Sequence, residues 1–232
     1  INLNEPVDAA LFFTDVLVAR NGAIGFTQSV AQYASVRNLA KDIIVVSRGR
    51  CIFQDVEQAL DYMQQRNGNK PIPMVEFVAP TKPEEINAFN PDGLLIAGGP
   101  SDPAELDDIV NVIKAFIGRI PVVGTGLGHL LIARAFGAKT VKMKCGHHGG
   151  RPIRNLDTLK ICTAEHNHNY CVDESTLKGS GLKVIFKDVA DGTVEGLCST
   201  DRKVLSVQFC PEGGPGPEET DFFGQFVKLM EE

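Results

Sequence analysis

The sequence has no run of 18 apolar residues and no basic-then-apolar leader ending in a small-residue cleavage site. It is therefore read as a chain without a helical membrane span or secretory signal. It also has no basic stripe: 23 Lys and Arg are scattered among 29 Asp and Glu, for a net charge of -6. Electrostatic capture of nucleic acid or of an anionic membrane is not implied, and proteins or small molecules are the expected partners. The six cysteines, at 51, 145, 162, 171, 198 and 210, show neither close pairing nor zinc-ribbon spacing. A chain of 232 residues needs no disulfide framework to fold, so a reducing, cytoplasmic setting is expected. Internal repeats and low-complexity tracts are absent as well.

What is present is an alternation of apolar runs and helical patterns, the spacing of an open α/β sheet. Strands are expected at 42–47, 74–78 and 93–97, with helices at 55–65 and 80–89 between them. Ile109, Val112, Ile113, Phe116 and Ile117 stripe a helix over 108–117, and 127–136 reads as another. After Gly137 short strands follow, at 140–144, 158–162, 182–187, 194–198 and 204–209, before a last helix over 219–230. That change of pattern predicts an antiparallel section beside the parallel one. Residues 1–41 read as an N-terminal extension packed on a main domain of 42–232, with Phe12, Phe13, Leu17 and Val18 as apolar area for an interface or for the extension's own core. Phe116, Phe136, Phe222, Phe223 and Phe226 are expected to pack helices onto the sheet.

Between strand and helix lies Pro121-Val-Val-Gly-Thr-Gly-Leu-Gly-His-Leu130, which has the form of a nucleophile elbow without a nucleophile. Gly126 stands at its centre, where glycine tolerates the strained dihedrals but supplies no thiol or hydroxyl. The loop from Gly98 to Pro103 lacks the Gly-Lys-Ser/Thr pattern of a phosphate-binding loop and reads as a tight turn at a strand end.

Pro121 to His129, Lys142-Met-Lys-Cys-Gly-His-His-Gly-Gly150 and Val207-Gln-Phe-Cys-Pro-Glu212 with Pro215-Gly-Pro217 resemble the glutaminase domain of carbamoyl phosphate synthetase small subunits, a class I glutamine amidotransferase. The resemblance runs from about Asp42 to the end of the chain. It implies a three-layer α/β fold, a mostly parallel open sheet with an antiparallel extension. It also implies a Cys-His-Glu site that hydrolyses glutamine for a synthetase partner.

On that pattern Gly126 stands at the Cys position and Cys210 at the His position, leaving Glu212 of the triad. A thiol lacks the basicity and two-nitrogen relay of imidazole. Glu212 beside Cys210 disfavours a thiolate, so Cys210 reads as an ordinary partly buried cysteine. The resemblance places the substrate pocket at Gly99, Ser101, Leu127, Leu130, Asn167, Asn169 and Tyr170, with Leu130 where the family has Gln. His147, His148, His166 and His168 suggest zinc, but the first two belong to the family motif, where they serve no metal, so neither metal nor cofactor is assigned.

The expectation from these residues is a protein without glutaminase activity, a pseudoenzyme with a binding or structural role in an assembly. Its partners would be a second copy, a synthetase-like subunit or a small metabolite. The alternative is a degenerate small subunit or domain of carbamoyl phosphate synthetase that supports an ammonia-using synthetase.

Overall fold

The computed structural model describes residues 7–13, 16–18, 24–26, 40–46, 52–53, 58, 61–62, 65, 74–76, 82–88, 90–199, 201, 203–211 and 222–231. Its contacts divide the chain into two units, 1–90 and 91–232.

In the first unit, β1 (Val7–Phe13) pairs in parallel with β4 (Ala40–Val46), Val7 opposite Ala40 and Phe13 opposite Val46. A second sheet has the order β5 (Ile52–Phe53), β2 (Val16–Val18), β3 (Ile24–Phe26), β6 (Met74–Glu76). Within 55–65, Gln58, Asp61, Tyr62 and Gln65 are helical, and α1 (Pro83–Asn87) buries Ile86. The side chains of Phe12, Phe13, Leu17 and Val18 lie outside the described residues.

The second unit is built on one seven-stranded sheet. Its parallel part is β13 (Val204–Val207), β8 (Val122–Thr125) and β7 (Leu94–Ile96). Val204 and Val122 to Gly124 are buried, as strands covered on both faces must be. Helix α2 (Asp107–Phe116) buries Val110, Ile113 and Phe116, and α3 (Leu127–Ala135) follows β8 through the elbow. Helix α4 (Phe222–Glu231) sets Phe222 into a cluster with Val123, Ile153, Phe186, Val207 and Phe209. Phe223, expected in the core, is 42% exposed, its ring against Phe222. This is the three-layer class I amidotransferase-like α/β fold.

The antiparallel extension is larger than the apolar runs suggest. β9 (Thr140–Asn155) and β10 (Ile161–Val172) form a long ribbon, and β11 (Lys183–Asp188) and β12 (Val194–Ser199) join it to β13. The segments 146–150 and 165–170, which fall outside the expected strands at 140–144 and 158–162, are the facing strands of this ribbon, with His147 opposite His168 and His148 opposite Asn167. Their polar residues concealed the strands, because cross-strand pairing rather than hydrophobic alternation holds them extended.

Candidate functional site

The elbow is formed as the glycine spacing predicts. Gly126 has φ 54 and ψ -115, its N–H donates to the Val207 carbonyl at 2.9 Å, and its own carbonyl accepts from Gln208 Nε2 at 3.3 Å. A Cβ at 126 would stand 3.5 Å from Gly98 Cα, so this position faces the turn after β7. Close approach of helix to sheet explains the two flanking glycines: a Cβ on Gly128 would lie 2.1 Å from the Ile96 carbonyl oxygen, and one on Gly124 2.7 Å from Gly128.

Around the elbow, Gly99 lies against Leu127, and the exposed Ser101 shares the same loop. That loop is tied down from both sides. Tyr170 donates its hydroxyl to Asp102 Oδ2 at 2.9 Å, and Asp102 caps Ala104 N–H at 2.8 Å. These two donors, the backbone one first, hold Asp102 below the usual carboxylate range. Arg134 donates to the Pro103 carbonyl and pairs with Asp107 at 2.7 Å.

Leu130 is 3% exposed in an apolar cluster with Ala133, Ala138, Val172 and Leu197. Asn167 and Asn169 are exposed on β10, with Asn167 Oδ1 3.1 Å from His148 Nδ1. Cys210, partly buried, donates its N–H to the Glu165 carbonyl at 2.9 Å, which joins the end of β13 to the ribbon. Glu212 lies outside the described residues.

Behind the elbow, His129 is fully buried with Nδ1 3.0 Å from Ser206 Oγ. Burial drives its pKa down to about 3, so the ring is neutral. Three of the four motif histidines converge farther along the ribbon, and Glu195 of β12 joins them. His147 Nδ1 is 3.3 Å from Glu195 Oε1, His166 Nδ1 is 3.5 Å from Oε2, and His168 Nε2 is 3.8 Å from Oε1. His148 stays out of this group, exposed beside Asn167. Burial lowers His166 to about 3 and His168 to about 4, while it pushes Glu195 up to about 7. Glu195 first, then Asp191, raise His147 against its own desolvation. Arg151, 2.7 Å from Asp188 Oδ2 and 3.7 Å from Asp191 Oδ2, supplies a cation at the edge.

Asp102, Asp191, Glu195 and Gln208 were not singled out from sequence. Glu195 had a readable signal, a lone carboxylate inside the apolar strand Val194–Ser199. Asp102 had none, since exposed Asp in a turn is commonplace.

A family model described as glutamine amidotransferase class-I matches residues 53–230. Among similar proteins, a carbamoyl phosphate synthase small chain of Methanosarcina mazei is 46% identical over 155 residues, 66% of this chain and 42% of that protein. The Escherichia coli small chain is 42% identical over 157 residues, 66% of this chain and 41% of that one. The chain thus spans about two fifths of the length of these relatives. A solved structure from Thermoplasma acidophilum, named for a component of GMP synthase, matches 98% of this chain and 96% of its own at 18% identity and a TM-score of 0.57, a likeness of fold. These findings correct one expectation. Gly126, Cys210 and Leu130 together predict loss of glutaminase activity, whereas identity of 42% to 46% with synthase small chains across the amidotransferase domain argues against that loss.

Proposed function

Because the chain belongs to the class I glutamine amidotransferase family, we propose that it is the amidotransferase part of a carbamoyl phosphate synthase, a small subunit or domain working beside an ammonia-using synthetase. One observation carries this reading: the 46% identity over 155 residues to a synthase small chain. The site supports it. The positive-φ elbow aims position 126 at the Gly98–Gly99 turn, and Tyr170, Asp102 and Arg134 hold the loop that continues from that turn. A tied loop of this kind keeps backbone donors fixed near the elbow without reorganisation when charge develops.

The partner belongs to the same reading: a synthetase subunit or domain rather than nucleic acid or a membrane. No described helix is long and apolar enough to cross a membrane, and Cys145, Cys171 and Cys198 are thiols, as a cytoplasmic setting favours.

Co-expression with an ammonia-using synthetase tests this. A complex is expected by native mass measurement. Carbamoyl phosphate formation, assayed in parallel with glutamine and with ammonia, is expected to change with at least one donor when this chain is added. No complex, with rates unchanged for both donors, overturns the reading.

A further inference from the structure

The geometry points to a buried, structural divalent-metal site of the zinc type, held by His147 of β9, His166 and His168 of β10, and Glu195 of β12. The four donor atoms lie within 4.8 Å of one another. Four ligands at about 2.0–2.1 Å from a tetrahedral ion sit about 3.3–3.4 Å apart. Counting both Glu195 oxygens, the approaches fall near that spacing: 3.2 Å between His166 Nδ1 and His168 Nε2, 3.3 Å between His147 Nδ1 and Glu195 Oε1, 3.5 Å between His166 Nδ1 and Glu195 Oε2, and 3.8 Å between His168 Nε2 and Oε1.

The outer hydrogen bonds orient the rings for this task. His168 Nδ1 lies 2.9 Å from the Tyr170 carbonyl and must donate to it, which leaves Nε2 with its lone pair directed at the cluster. His147 Nε2 lies 2.8 Å from Asp191 Oδ2, which likewise leaves Nδ1 directed inward. Of the inward atoms, His147 Nδ1 and both Glu195 oxygens are buried without a hydrogen-bond partner among the described residues, while His166 Nδ1 and His168 Nε2 meet only each other. Glu195 is 0% exposed, and a carboxylate this deeply buried is costly unless a cation or proton meets it.

A second acidic group, His147 with Asp188 and Asp191, is already served by Arg151 and needs no ion. Three imidazoles and one carboxylate suit a borderline divalent ion such as Zn²⁺, and four protein donors leave no open position, as in a structural site. The ion would fasten the β9–β10 ribbon, which carries Asn167, Asn169 and Tyr170, to β12, a strand with no ladder to β10.

The purified 232-residue chain, loaded with Zn²⁺ and freed of excess by gel filtration, is expected to retain one ion per chain by elemental analysis. Co²⁺ in its place is expected to give the intense visible absorption of a tetrahedral centre. H166Q and E195Q should abolish retention, D191N should weaken binding about 10–100-fold through the orienting hydrogen bond, and H148Q should leave retention intact. Retention in H148Q shows that the assay works on a folded variant, and circular dichroism checks the others. Failure of the wild type to hold Zn²⁺ or to give the Co²⁺ spectrum overturns the proposal, as does retention undiminished in folded H166Q. None of these readouts depends on carbamoyl phosphate synthesis, so this site and the assigned function fail independently.

Discussion

At position 126 the backbone, not a side chain, is what the fold has selected. With φ 54 and ψ -115, any L-residue other than glycine is strained there, and a β-branched one most of all. Gly126→Val is expected to cost about 1–3 kcal/mol in urea unfolding, and an unchanged midpoint would show that the elbow relaxes freely. His129 gives a pH-dependent counterpart. Its folded pKa of about 3 lies below the ordinary 6.5, so the unfolded chain takes up the proton first, and stability is complete above 6.5 and lost as pH falls toward 3. Among the described residues only the Ser206 hydroxyl bonds the ring, and His168 adds repulsion, so none of them compensates a charge there. Between pH 6.5 and 5 the wild type should lose about 1.1 kcal/mol per unit more than His129→Leu. Parallel stability curves for the two proteins would remove His129 as the cause.

Among elements, the β9–β10 ribbon does most to build the site. It brings His147 opposite His168 and sends Tyr170 across to the Asp102 loop. Arg151 then fixes the ribbon to the end of β11 through Asp188, whose side chain is wholly buried and also accepts the N–H groups of Ala190 and Asp191. Removing the guanidinium leaves a buried carboxylate with only backbone partners. Arg151→Met should therefore lower stability by about 2–5 kcal/mol in denaturant unfolding at neutral pH. If the loss is below about 0.5 kcal/mol, the pair behaves as a surface bridge and the ribbon is held by its ladder alone.

For the whole molecule, the family match over 53–230 extends across both contact-defined units, while β1 pairs with β4 in the first of them. The division of the chain at 41/42 into extension and domain thus stays a proposal, and the parallel β1–β4 ladder supplies a concrete contact on which to test it. A net charge of -6, with Lys and Arg scattered along the sequence, gives no electrostatic steering toward a polyanion.

Local pattern alone encodes β7 and β8, helices α2 and α4 and the elbow, in apolar periodicity or in glycines that alone fit a positive φ or a 2.1 Å approach. Gly124, Gly126 and Gly128 are legible for that reason, whereas Met74–Glu76, expected in the parallel sheet, pairs antiparallel with β3. Long-range packing settles that the two polar segments around His147 and His168 are one ribbon, that Leu130 lies in the core, and that Glu195 meets three histidines. Such meetings depend on strand register and long-range pairing, and no pattern within a short window records which distant residue will stand opposite.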